Sequence, residues 1–405
     1  MDSELRVAAA LQGHLSRLDD TLMRVQKERG QAMIEAQKLA AQLAQAQQES
    51  AAMRKALQLS MRSAGASADG AGASAAAAVP APRAAAASPG APAASAAGGA
   101  PQKRAGDEIY LLGGNNNTSE AAAPDGGWLR SLLIYTPATG SWRSGPDMPL
   151  CRGYGSSGVL GRHLYVMGGG NSHEWLADCR RLDLASGKWE QAPSMSVLRG
   201  CAGAAALGAR LYVAGGGVAD SQFDTVEMFN PEINAWMPGP KLRAKRFSTA
   251  ASALDGCVYV TGGYDGSYLQ SAERLDPREG KWQLIPDMRE KRGAHACSAG
   301  PGGLLYVVGG YDVNHPNNAF MATVEAFEPR MGRWVAKRGM GQGRAYSAAA
   351  YADGALWVVG GMQGDNYNET FERYDPEADH WVSVALPPHI STNRAFLTAD
   401  VVPAL

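Results

Sequence analysis

The run Arg246-Phe247-Ser248-Thr249-Ala250-Ala251-Ser252-Ala253-Leu254, Asp255-Gly256, Val258-Tyr259-Val260-Thr261-Gly262-Gly263 decides the fold. It holds two short β-type stretches joined by Asp-Gly, a dipeptide suited to a tight hairpin turn. After a loop come Ala272-Glu273-Arg274-Leu275-Asp276-Pro277, a turn at Glu279-Gly280, and Trp282-Gln283-Leu284-Ile285. Four such stretches in succession make one small antiparallel sheet. The same order recurs outward in both directions. Glycine doublets begin at Gly113, Gly168, Gly215, Gly262, Gly309 and Gly360, and a tryptophan follows each, at Trp142, Trp189, Trp236, Trp282, Trp334 and Trp381. A repeat of this length, carrying an aromatic-then-Gly-Gly signature, predicts six sheets arranged radially as a propeller.

Three positions ahead of each doublet stands Tyr110, Tyr165, Tyr212, Tyr259, Tyr306 or Trp357, and these rings are expected to pack between neighbouring blades. An arginine, a small-residue strand, Leu-Tyr-x-x-Gly-Gly, a strand ending at proline and a later tryptophan together resemble the kelch repeat. The resemblance covers roughly residues 107–403 and implies an all-β, six-bladed propeller whose blades are four-stranded antiparallel sheets. Ring closure is read from the two ends of the repeat region. The first unit opens at Glu108-Ile109-Tyr110-Leu111-Leu112, already a second strand, whereas Arg394-Ala395-Phe396-Leu397-Thr398-Ala399-Asp400-Val401-Val402 is a first strand with no second strand after it. The C-terminal strand is expected to complete blade one, removing the open edges of an unclosed array.

Residues 4–62 carry an apolar seam through Leu11, Leu15, Leu18, Leu22, Val25, Leu39, Leu43, Met53 and Leu57, which predicts a coiled-coil helix and self-association of the chain. Residues 63–105 are Ala, Ser, Gly and Pro with little to bury, and read as a disordered tether; residues 106–405 form the propeller. The formal net charge of -1 argues against nucleic acid as a partner. Five cysteines lie scattered without ligand spacing, which suits a reducing compartment. Neither a signal peptide nor a membrane span is read, so a cytoplasmic protein is expected, with the nucleus as the second choice.

The connections between strands two and three are long and irregular, and they share one end of the ring with the links from each fourth strand to the next first strand. Variable loops on a rigid scaffold make this the candidate binding face. Arg152, Arg199, Arg246, Arg292, Arg344 and Arg394 open the first strands near it. Two readings stay open: a guanidinium ring that grips an acidic peptide, or arginines paired within the scaffold. The resemblance favours the first, because matching arginines in kelch domains of ubiquitin-ligase adaptors contact acidic peptides. Just past the arginines come Tyr154, Cys201, Ser248, His295, Tyr346 and Phe396, which break the sixfold pattern. Trp175, Tyr264, Tyr311 and Tyr367, with Trp128, Phe223, Tyr268 and Phe320, add loop aromatics. The expected function is non-enzymatic binding of a protein or peptide on this face. A ubiquitin-ligase substrate-recognition subunit or a cytoskeletal scaffold is the alternative, although no BTB or F-box pattern precedes the repeats. No catalytic residue, cofactor or metal is expected, since GxSxG, HExxH and P-loop patterns are missing and the histidines lack ligand spacing. A kelch-type enzyme such as a sugar epimerase ranks last.

Overall fold

A computed structural model describes residues 106–403, apart from 117–125 and positions 172, 220 and 317. The expected coiled coil and tether lie outside the described residues. Within them the strands form six four-stranded antiparallel sheets and two two-stranded ribbons, Gly217–Val218 with Ser221–Gln222 and Met362–Gln363 with Asn366–Tyr367. In blade four, the clearest unit, the strands are Ala250–Leu254, Cys257–Thr261, Ala272–Asp276 and Lys281–Ile285, paired in sequence order. Blade one is assembled from both ends of the propeller. Thr398–Val402 pairs antiparallel with Glu108–Leu112, with Glu108 opposite Val402 and Leu112 opposite Thr398. Closure by the C-terminal strand is therefore as the sequence predicts. Each first strand touches the first strands of the blades on either side, and the sixth returns to the first, so these strands ring the axis. Their small residues, such as Ala250-Ala251-Ser252-Ala253 in blade four and Ala348-Ala349-Ala350 in blade six, fit this crowding.

The hydrophobic core lies between blades. One cluster joins Tyr212 and Ala214 of blade three to Val258, Val260, Leu275 and Trp282 of blade four; another joins Tyr259 of blade four to Leu305, Val307 and Trp334 of blade five. The tryptophans also stitch blades by hydrogen bonds. Trp189, Trp236, Trp282 and Trp334 donate their indole N–H to the carbonyls of Pro146, Pro193, Pro240 and Pro286 in the link behind them, and Trp381 donates to Arg338. Both roles agree with inter-blade packing of the repeated aromatics.

The glycine doublet welds neighbouring blades through the backbone. Gly262 and Gly263 have φ of 54° and 104°, and a Cβ on Gly262 would stand 2.3 Å from the Arg292 carbonyl oxygen. Only glycine accepts that turn together with that approach. The Gly263 N–H then donates to the Arg292 carbonyl of blade five at 2.9 Å.

Candidate functional site

The six arginines face into the wall. Arg152, Arg199, Arg246, Arg292, Arg344 and Arg394 are all 0–6 % exposed. In every blade Nη1 donates to the carbonyl of the first doublet glycine, as in Arg246 to Gly262 at 2.7 Å and Arg394 to Gly113 at 3.3 Å. Nη2 reaches a carboxylate in five blades. The partners are Asp178, Glu227, Glu273, Glu325 and Glu372. These acids also fasten the incoming link: Glu227, Glu273, Glu325 and Glu372 accept backbone N–H groups from Ser196, Arg243, Arg289 and Gly341. Burial lowers the pKa of Arg199, Arg246, Arg292 and Arg344, and the facing glutamates oppose the shift. A buried guanidinium must be paired to be tolerated, and here the scaffold supplies the pairing. The expectation that these six arginines contact a ligand is corrected: they form a structural girdle.

His295 needs a second correction. The position two residues after each arginine holds Tyr154, Cys201, Ser248, Ala294, Tyr346 and Phe396, all with φ between 50° and 62°. His295 lies one residue beyond this set and sits inside the wall, its Nε2 2.8 Å from Thr261 Oγ1. Burial first, then the charges of Arg292 and Arg246, push its pKa down to about 3, so the ring stays neutral. It cannot serve as an acid–base or charged contact group near pH 7.

The six left-handed residues encircle the axis. Tyr154 N–H donates to Phe396 O, Cys201 to Tyr154, Ala294 to Ser248, Tyr346 to Ala294 and Phe396 to Tyr346, each at 2.7–3.0 Å. This belt is the mouth of the central channel. Left-handed geometry costs a non-glycine residue on the order of 1 kcal/mol, so the belt persists only because neighbouring blades impose it. Its side chains are unequal around the ring. Tyr154, Phe396 and Tyr346, on blades two, one and six, crowd together with ring centroids 4.3 Å (Tyr154–Phe396) and 4.6 Å (Tyr346–Phe396) apart. Cys201, Ser248 and Ala294, on blades three to five, leave that half of the mouth lined by small groups. Burial raises the Cys201 thiol to about 12, which removes it as a nucleophile at neutral pH.

The loop aromatics surround this belt. Trp128 and Trp175 flank Tyr154 at 5.5 and 5.7 Å, and Tyr367 lies 6.2 Å from Phe396. Over blades four and five, Tyr264, Tyr268, Tyr311 and Phe320 form a second chain of rings, with centroids 4.8–5.5 Å apart between successive members. Each leans on the next blade where space has been cleared: a Cβ on Gly153 or Gly200 would lie 2.3 or 2.2 Å from the Trp128 or Trp175 ring. The aromatics are half-buried and held in place. Tyr154, Tyr346, Phe396, Trp175, Tyr264, Tyr311 and Tyr367 are thus brought to one face, with Ser248 buried at its centre.

One feature of this face lies outside the residues singled out in the sequence. The link into blade four carries Lys241, Arg243 and Lys245, and the link into blade five carries Arg289 and Lys291, all exposed. Arg243 and Arg289 occupy equivalent places, since the backbone N–H of each donates to a third-strand glutamate. Lys241 pairs loosely with Asp224 at 3.6 Å. The other four have no carboxylate within 4.0 Å among the described residues. A cationic sector therefore borders the small-sided half of the mouth. Its signal in the sequence was the link into blade four, which carries three cations and no acid; the link into blade five sets Arg289 and Lys291 beside Asp287 and Glu290, and the links at 146–151 and 193–198 carry no cation.

Below the belt, a channel of about 530 Å³ runs between the first strands, from Tyr154, Tyr346 and Phe396 down to Val159, Ala253, Tyr351 and Val401. No group of three His, Cys, Asp or Glu among the described residues could hold a metal ion.

Comparison with known proteins agrees with this architecture. Residues 102–299 match the KLHDC2/KLHL20/DRC7 Kelch-repeats domain, and residues 292–341 and 343–385 match the Kelch motif. Similar curated proteins include Kelch-like protein 36 of Rattus norvegicus (27 % identical, covering 30 % of this chain and 20 % of that one) and F-box protein AFR of Arabidopsis thaliana (31 %, covering 29 % and 32 %). Beta-scruin of Limulus polyphemus is 33 % identical over 30 % of this chain and 13 % of its own. The chain thus spans only a minor part of each relative. The solved structure of YjhT superposes with a TM-score of 0.54 at 13 % identity, covering 64 % of this chain and 95 % of that one, a likeness of fold alone. Six closed blades, the repeated arginine, glycine and tryptophan positions and these matches place the chain in the kelch-repeat family.

Proposed function

We propose that this chain is a non-enzymatic interaction module that takes an acidic peptide segment of a partner protein on the face bearing the mouth. A kelch propeller suggests protein-protein interaction. The observation that carries the finer reading is the cationic sector of Lys241, Arg243, Lys245, Arg289 and Lys291 beside the aromatic chain Tyr264, Tyr268, Tyr311 and Phe320. Exposed cations steer and select an acidic ligand, and held aromatics supply contact area at low entropic cost. The small residues Cys201, Ser248 and Ala294 leave room for a side chain to enter the mouth on that side. In this reading the peptide lies over blades three to five, and Tyr154, Phe396 and Tyr346 form the opposing wall.

The test is selection of a displayed random-peptide library on the full chain. Acidic peptides with apolar anchors should be enriched. Their binding should fall at least tenfold on replacing Lys241, Arg243, Lys245, Arg289 and Lys291 by Glu, and should weaken with added salt. Enrichment of basic or neutral peptides, or indifference to those substitutions, would sink the reading. Residues 4–62 are proposed to self-associate, which would give two or more propellers on tethers and avidity for a multivalent partner. Sedimentation of the full chain against residues 106–405 checks this; equal association states would contradict it.

A second reading, substrate recognition for a ubiquitin ligase, is favoured by the similarity to Kelch-like protein 36 and to an F-box protein. Partner ubiquitination that depends on this chain, and is lost with the face substitutions, would support it.

A further inference from the structure

Asp400 departs from the sixfold pattern of the channel wall. Counted from the girdle arginines, its equivalents in the other blades are Gly158, Ala205, Ser252, Ser298 and Ala350, all small and uncharged. It is the one carboxylate lining the channel among the described residues, and no Lys or Arg shares that lining. Asp400 lies on the inner strand of blade one, opposite Tyr110 in the pairing register. Its Oδ2 accepts no hydrogen bond from any described protein group. Ser157 of blade two stands beside it, with its Oγ 2.6 Å from Thr398 Oγ1, so a hydroxyl pair adjoins the carboxylate. Ser252 and Ser298 add hydroxyls to the wall at the same level in blades four and five. The girdle offers no partner, because in five blades its cations already hold carboxylates, and in blade one Arg394 reaches Gly113, Ser131 and Ser391 instead.

An unpaired carboxylate oxygen buried in the wall of a narrow channel, with a neutral hydroxyl pair beside it, forms half of a recognition site for a cation. At about 530 Å³ the channel falls within the range of small-molecule sites. We propose that the central channel binds a small organic cation bearing a primary ammonium group. Asp400 is its counter-charge, and the Ser157 and Thr398 hydroxyls accept further N–H donors. The ammonium suits this arrangement because its three donors can divide between one carboxylate and two hydroxyls. Gly158, Ala205 and Ala350 at the same level leave space for an alkyl chain. This site is separate from the peptide face, which is cationic and would repel such a ligand.

The experiment titrates the full chain by calorimetry at pH 7.5 with three probes of matched size: pentylammonium, 1-pentanol and pentanoate. Pentylammonium should bind one site per chain, with pentanol and pentanoate at least tenfold weaker. Asp400→Asn should weaken pentylammonium at least tenfold while the thermal unfolding transition is kept. Ala205→Leu, which narrows the channel without touching the carboxylate, should also reduce binding. Equal binding of the neutral probe, no binding of any probe, or undiminished binding by Asp400→Asn would overturn the proposal. If either variant fails to fold, the three-probe comparison on the unaltered chain still decides it.

Discussion

Blade four and blade one share one topology and differ in how their charges are settled. In blade four, Arg246 meets Glu273 through both Nε and Nη2, at 3.1 and 3.0 Å, and also the carbonyls of Gly262 and Ser271. In blade one the position matching Glu273 is Leu133. Arg394 therefore finds only Gly113 O, Ser131 Oγ and Ser391 O, at 3.2–3.5 Å, and burial pulls its pKa down to about 10. Blade one also carries Asp400, which burial pushes up to about 7 despite help from Ser157. One blade neutralises its buried charges internally; the blade sewn from the two chain ends leaves a cation and an anion unmatched within the same sheet. In a repeating fold, features copied into every unit maintain the ring, and departures from the copy mark where something else can act.

The difference can be attacked from several sides. The largest effect should come from ending the chain at Asn393, which strips blade one of its inner strand. That loss exceeds the roughly 5–15 kcal/mol a domain has to spare, so the cooperative unfolding transition seen by circular dichroism should vanish. A cooperatively folded truncated protein would show that the ring does not depend on its closing strand. Next, Glu273→Ala should cost about 3–5 kcal/mol in urea unfolding, because the guanidinium of Arg246 is left buried without its counter-charge. Arg394→Met should cost less than about 2 kcal/mol, since it gives up a few long hydrogen bonds and no ion pair. Equal costs would erase the contrast between the blades. Gly153→Ala should cost about 1–3 kcal/mol, because its new methyl meets the Trp128 ring; a shift in tryptophan fluorescence would report the displaced loop.

The smallest effect concerns pH. The Asp400 carboxyl keeps its proton to about pH 7 in the folded chain, whereas an exposed aspartate releases it near 4. Between these values the folded state binds more protons than the unfolded one, so this residue makes stability decline as pH rises from about 4 to about 7. Asp400→Asn should remove that slope and leave the protein more stable than the unaltered chain at pH 8. Parallel stability profiles of the two proteins would show that Asp400 is not desolvated.

The glycine doublets, the tryptophans and the split first unit were enough to read the number of blades and the way the ring closes, because each expresses a backbone constraint that repeats. The direction of the arginines was not readable from the arginines themselves. Its signal lay elsewhere, in Thr225-Val226-Glu227, Ser271-Ala272-Glu273, Thr323-Val324-Glu325 and Thr370-Phe371-Glu372, where a hydroxyl and a carboxylate recur at the start of the third strand. A cation and an anion that recur together in a scaffold are each other's partners. His295 was misplaced by one residue because the six belt positions carry five different side-chain types and share only a left-handed φ. The aromatics of the mouth were found, since an aromatic in a long loop is conspicuous in a sequence this regular. Asp400 went unread for the opposite reason: it stands in an otherwise ordinary strand, and only the channel gives it meaning.

The central claim is that the girdle builds the ring while the irregular mouth does the recognising. Its most direct test compares two variants, each verified as folded, for retention of the peptides enriched by the full chain. Arg246→Met with Glu273→Leu replaces a girdle pair by apolar groups, and Tyr264→Ala with Tyr311→Ala strips the aromatic chain. Retention by the first and loss by the second is the expected result; loss by the girdle variant with retention by the aromatic one would contradict it.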